Sequence, residues 1–148
     1  MAAGPVVKKI MDAYKEKVRL VVKNYPYVYR DYSHIAAEAS LAARDQGKYW
    51  EFISLLFQNQ QALETGKLKE YATQAGLDRK KFDESLESGR YAQKVMRDIE
   101  DGTRIGVNAT PTLFVNGRLV RERTREALKA AIEAAFKATA GENVSRAN

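Results

Sequence analysis

The sequence predicts an α/β fold in which a helix and a strand precede a run of consecutive helices, and a β-hairpin and a last helix follow it. Three observations carry that prediction. Apolar residues recur at helical spacing along much of the 148-residue chain. Val18-Arg19-Leu20-Val21-Val22-Lys23 is mostly apolar, as a strand buried on both faces is. Thr112-Leu113-Phe114-Val115 runs into Asn116-Gly117, the strongest two-residue hairpin signal, and Arg118 to Glu122 can form the returning strand. Helices gathered between such strands describe an α/β layer with a helical insertion.

In the first element Val6, Val7, Ile10, Met11 and Tyr14 share one helix face, and Pro5 suits a first turn, so the helix runs to about Lys15. Asn24-Tyr25-Pro26 closes the strand that follows, and Tyr27 to Tyr32 is aromatic and irregular. Ser33 or Asp31 is placed to cap a helix through Ile35, Ala36, Ala39 and Ala43, ending near Gly47. Trp50, Ile53 and Phe57, with Tyr49 and Leu56 beside them, give the next helix a stripe expected in the core, running to about Gln60.

Leu68, Tyr71, Ala72 and Ala75 predict a helix stopped by Gly76, and Asp78 a cap for a short helix containing Phe82 and Leu86. After Gly89, Ala92, Val95, Met96 and Ile99 form an amphipathic helix ending at Gly102. Asp98, Glu100 and Asp101 near that end read as a solvated acidic face rather than a cation site. Beyond the hairpin, Thr124 is placed to cap a helix that turns Ala127, Leu128, Ala131, Ile132, Ala135 and Phe136 inward and stops at Gly141. The organisation expected is one domain over residues 1–141, with a helical insertion over about 31–102 and a flexible tail over 142–148.

Composition narrows the chemistry. The chain has no cysteine, which removes disulfides, thiolate nucleophiles and redox dithiols, and its single histidine leaves no His/Cys metal site. No cofactor and no metal are expected. No apolar run is long enough to cross a bilayer, so no membrane role is expected, and the N-terminus carries no secretion signal. The net charge of +6 attracts anions, but basic and acidic residues are interleaved and nucleic acid is not an expected partner. Arg118, Arg121, Arg123 and Arg125 form the densest basic group, and arginines on a terminal strand are also a defence against edge pairing. His34 reads as a surface or capping residue, since Ser33 beside it points elsewhere on a helix and no third orienting group is identifiable. Tyr25, Tyr27, Tyr29 and Tyr32 fit an aromatic recognition surface and a lid over the core equally well. At Thr110-Pro111, a strand-initiating turn and a special turn with a cis bond both fit the local sequence.

Taken together, Val18 to Pro26, Ala36-Ala37-Glu38-Ala39, Gln46-Gly47-Lys48-Tyr49-Trp50-Glu51 and Gly106 to Gly117 resemble, in order and spacing, the DsbA-like thiol-disulfide oxidoreductases of the thioredoxin-like superfamily. The resemblance covers nearly the whole chain. It implies a thioredoxin-like fold with an all-helical insertion, and a cis-proline loop at Ala109, Thr110, Pro111 and Thr112 whose backbone faces extended peptides. The departure is that the family's C-x-x-C motif and the strand leading into it are missing. Pro5 resembles the proline that follows the motif, so the chain is expected to begin inside the family's active-site helix, as a shortened chain, an altered gene start or a deletion would.

Thiol-disulfide exchange needs an attacking thiolate, so the chain as written has no catalytic residue for it. The expectation is a truncated or degenerate DsbA-like domain, redox-inactive, that retains the peptide-facing loop. The alternative is a non-catalytic assembly module, because the missing strand would leave Val18–Lys23 and Thr112–Val115 with unpaired inner edges that favour homo-oligomers. A basic nucleic-acid-binding protein ranks behind both. The family is commonly periplasmic or extracytoplasmic, whereas the chain as given would stay cytoplasmic on expression.

Overall fold

The structure, a computed structural model, describes the backbone of residues 3–146 and the side chains of residues 4–139. Its elements are α1 (Ala3–Tyr14), a 3-10 turn (Lys15–Lys17), α2 (Ser33–Asp45), α3 (Tyr49–Gln58), α4 (Thr65–Gln74), α5 (Arg79–Glu87), α6 (Ala92–Arg104), β1 (Leu113–Val115), β2 (Arg118–Val120) and α7 (Arg125–Arg146). They fall into two compact units, residues 1–22 with 107–148, and residues 23–106.

In the first unit β1 and β2 form an antiparallel hairpin with Leu113 opposite Val120, Phe114 opposite Leu119 and Val115 opposite Arg118. Asn116 and Gly117 both have positive φ, 45° and 78°, the conformation of a type I′ turn, which matches the twist of the strands it joins. Leu113, Val115 and Val120 turn to a core made with Ile10 of α1 and Leu128 and Ile132 of α7, flanked by Val6, Tyr14 and Val18. Thr124 caps α7 as expected, its hydroxyl accepting the Ala127 N–H at 3.1 Å.

Three expectations for this unit fail, the first being Phe136, expected to turn inward on α7 but 38% exposed. Val18–Lys23 is not a strand: Val18 is extended (φ −129°, ψ 131°), but the segment joins no ladder among the described residues. Apolar, β-branched composition favours extension, while a strand exists only where a second backbone accepts its N–H and C=O groups. Val21 and Val22 are exposed as a result. Gly141 does not end α7, whose backbone continues to Arg146. A glycine inside a helix costs about 1 kcal/mol relative to alanine and does not by itself stop it. Residues 147–148 of the expected tail lie outside the described residues.

The second unit is helical. Phe52, Leu68, Phe82 and Val95 are fully buried at its centre, with Leu41, Leu56, Tyr71, Leu77, Leu86, Tyr91 and the alanines of α2 around them. The Phe52 and Phe82 rings meet at 5.5 Å with a 56° tilt. Asp78 caps α5 by accepting the Lys81 N–H at 3.1 Å, and Gly76 adopts φ +75° just after α4. Neither Ser33 nor Asp31 caps α2: the capping position is Tyr32, at φ 62° and without a side-chain bond to the helix. The stripe expected on α3 is rotated. Phe52 and Leu56 are buried, while Trp50 and Phe57 are exposed. Seven of the ten residues in Tyr49–Gln58 are apolar or aromatic, so helical periodicity alone leaves the inward face undetermined. Met96 of α6 is likewise exposed.

Candidate functional site

The loop read as peptide-facing enters β1 in the first unit. The Thr110–Pro111 peptide bond is cis. Thr110 and Pro111 are exposed, and Ala109 and Thr112 are half-buried. The Thr112 hydroxyl donates to the Ala109 carbonyl at 2.5 Å, closing the loop on itself immediately before the strand. All four residues predicted for this site therefore sit on one short turn.

The hairpin fixes what the adjoining strand offers. With a two-residue turn, Val115 and Arg118 form a hydrogen-bonded pair, so Phe114 and Leu119 form the non-hydrogen-bonded one. The N–H and C=O of Phe114 thus point away from β2, toward the other edge of β1. That edge carries no strand among the described residues. A donor and an acceptor next to a self-closed loop are what an extended backbone requires for strand addition.

The second unit holds the electrostatics. Asp98, with a side chain 2% exposed, accepts from Lys23 Nζ at 3.0 Å, from the Asn24 N–H at 3.1 Å and from Lys94 Nζ. Burial alone would push its carboxyl up, but the bonds from Lys94, Lys23 and Asn24 prevail and hold it below the usual carboxylate range. The solvated face expected for Asp98 is thereby corrected. The residue sits on the inward stripe with Val95, Ile99 and Gly102, and a carboxylate on an apolar stripe was the available signal. Two of its three partners, Lys23 and Asn24, are remote in sequence, which periodicity does not see.

Two further polar contacts were missed, one between residues remote in sequence and one at i,i+4 spacing within α2. Tyr91 donates to Asp45 Oδ2 at 2.5 Å beside a polar depression of about 670 Å³ lined by Asp45, Gln46, Lys81, Glu84 and Arg90. The buried Ser85 hydroxyl there is satisfied by the Lys81 carbonyl at 2.8 Å. His34 Nδ1 lies 3.2 Å from Oε1 of Glu38, whose side chain is 8% exposed and whose Oε2 has no partner among the described residues. The His34 side chain is itself 44% exposed, in keeping with a surface residue. Among the described residues no group of three or more His, Asp or Glu side chains could hold a metal ion, and no helix is long and apolar enough to cross a membrane.

In the aromatic segment the rings pack on one another. Tyr27 and Tyr29 stack at 5.1 Å, and Tyr25 meets Tyr27 edge-on at 6.4 Å. Tyr29 and Tyr32 are exposed, whereas Tyr25 and Tyr27 are half-buried.

A family profile described as "Thioredoxin" matches residues 2–134. The chain belongs to the thioredoxin family. A thioredoxin-like oxidoreductase from Silicibacter pomeroyi superposes with a TM-score of 0.79 at 29% identity, covering 91% of this chain and 78% of that one. The thioredoxin-like fold with a helical insertion follows from that match. Among curated relatives, a Na(+)/H(+) antiporter NhaA 1 from Salinispora arenicola is 36% identical over 93% of this chain and 21% of its own length. A Na(+)/H(+) antiporter NhaA from Herminiimonas arsenicoxydans is 39% identical over 72% of this chain and 17% of its own length. This thioredoxin-family chain spans about a fifth of the length of such relatives. None of its 148 residues is a cysteine.

Proposed function

We propose that the chain is the peptide-facing portion of a DsbA-like thiol-disulfide oxidoreductase, redox-silent by itself, that holds an extended polypeptide against Ala109, Thr110, Pro111, Thr112 and the outer edge of β1. The observation that carries this reading is the outward-facing Phe114 N–H and C=O beside the loop closed by Thr112 and Ala109. Backbone pairing would supply affinity, and side chains at alternate positions of the peptide would supply selectivity. Electron transfer would need a thiolate from outside these 148 residues, because nothing here can form the mixed disulfide.

The test is an amide chemical-shift titration with an unstructured peptide, run beside an insulin-reduction assay. Shifts centred on Ala109 to Val115 with no insulin turnover support the reading. Shifts elsewhere, or dithiol turnover by the chain alone, overturn it. Self-association through the same edge is the competing use, and it would appear in sedimentation as a concentration-dependent oligomer.

A second reading is favoured by the antiporter relatives, each of which matches this chain over only a fraction of its own length. In it the chain serves as an accessory domain acting beside a transporter. Co-purification of the chain with an antiporter expressed in the same cell would support it, and separation of the two at the first purification step would count against it.

A further inference from the structure

We propose that the solvent face of the β1–β2 hairpin, together with the arginine-rich segment after it, docks on an anionic phospholipid surface. This rests on neither functional reading above. Phe114 and Leu119 oppose each other in the ladder, and as a non-hydrogen-bonded pair their side chains stand close together. They project from the face opposite Leu113, Val115 and Val120, which enter the core, and are 37% and 53% exposed. Strand alternation carries Arg121 to the side of Leu119 just past the end of β2.

Arg121, Arg123 and Arg125 are exposed; Arg118 is exposed as well, but it pairs with Val115 on the face opposite Phe114 and Leu119 and lies outside the docking surface. Although Glu122 and Glu126 are interleaved with them, none of the four arginines forms an ion pair among the described residues. Arg123 and Arg125 also flank Thr124, the cap of α7. A helix N-terminus carries a positive partial charge, so cations set there repel it and an anion beside them relieves the repulsion.

The apolar pair chooses among anions. A nucleic acid or an acidic peptide would satisfy the arginines and leave Phe114 and Leu119 in water. A bilayer surface takes both, with phosphates on the guanidinium groups and the two apolar side chains at the boundary between headgroups and acyl chains. The contact is peripheral and requires no spanning helix.

Flotation of the full chain with phosphatidylcholine vesicles containing about one third phosphatidylglycerol tests this at low salt, where surface charge is least screened. Binding to these vesicles, release at about 0.5 M salt and no binding to pure phosphatidylcholine are expected. The double variant Arg121→Gln/Arg123→Gln should weaken binding about twenty-five-fold, taking about five-fold for each arginine. Leu119→Ser should weaken it as well. The control Lys80→Gln/Lys81→Gln removes the same charge from exposed positions on α5 and should leave binding unchanged. Absence of flotation, an equal loss in the control, or comparable affinity for duplex DNA or polyglutamate with no effect of Leu119→Ser would each overturn the proposal.

Discussion

The backbone N–H of Asn24 donates to Oδ2 of Asp98 at 3.1 Å, joining positions 74 apart in the sequence. Tyr25 adds a second tie, its hydroxyl lying 3.1 Å from Oγ1 of Thr103. Within the helical unit these bonds fasten the entering segment to the C-terminal half of α6. Asp98 is therefore a structural anchor in a position where an acidic residue would ordinarily be solvated.

Asp98→Ala should destabilise the chain by about 3 kcal/mol, since it strands the Asn24 N–H and leaves two lysines without their buried partner. Asp98→Asn, which can still accept from Asn24, should cost less, about 1–2 kcal/mol. Urea denaturation at neutral pH measures both.

The same carboxyl makes stability depend on pH. Its folded value lies below its unfolded one, so its contribution is complete above the unfolded value of about 3.9 and is lost as the pH falls through the folded value. Denaturation midpoints of the parent chain should therefore fall below about pH 4, and the gap to Asp98→Asn should narrow there. A gap that stays constant between neutral and acid pH would remove Asp98 from this role.

Tyr91 and Asp45 offer the mirror case. Burial pushes the Tyr91 phenol up and its bond to Asp45 pushes it further. A raised phenol stabilises the fold below its unfolded value of about 10, and that stability is lost as the pH rises through the folded value. Tyr91→Phe should cost about 1 kcal/mol at neutral pH, a figure kept low because Asp45 is partly exposed. Ultraviolet titration should show one phenol fewer among the latest to ionise.

How far the sequence reaches is clearest in particular elements. Helices α4 and α5 were legible because Leu68, Tyr71, Ala72, Phe82 and Leu86 repeat at helical spacing between glycines and an aspartate cap, and α6 was legible in its Val95 stripe but not in its end, since it runs past Gly102 to Arg104. The hairpin was legible because Asn116-Gly117 tolerates two positive φ values in succession. Val18–Lys23 was misread because a ladder is a property of two segments and composition describes only one. The inward face of α3 was misread because Trp50, Phe52, Leu56 and Phe57 are nearly equivalent in hydrophobicity. The turn at Ala109 to Thr112 was marked by its proline and the strand after it, and its reading as peptide-facing came from the family resemblance, whereas the bonds of Asp98 to Lys23 and Asn24 depend on packing that local patterns do not encode.

The turn itself can be tested. Gly117 has φ 78°, a region that costs residues with a Cβ about 1–2 kcal/mol. Gly117→Ala should therefore destabilise the hairpin unit by about 1 kcal/mol, readable as a loss of dispersion at the Leu113, Val115 and Val120 methyl signals.

The sharpest test of the β1 edge uses proline, which removes one N–H and fixes φ, a change that an edge strand tolerates where that N–H faces outward. At Phe114 the lost N–H faces away from β2, so Phe114→Pro should leave the ladder between Leu113 and Val120 and between Val115 and Arg118 in place. At Leu113 the lost N–H belongs to the ladder, so Leu113→Pro should break the hairpin. If the outer edge receives a peptide or a second copy of the chain, Phe114→Pro should abolish the peptide-induced shifts or the self-association while the hairpin amides stay dispersed. Phe114→Ala controls for the lost ring, and it keeps the N–H. Loss of binding in the alanine variant as well as the proline variant would move the interaction from the backbone edge to the side-chain face. Binding retained in both would exclude the edge as the docking site.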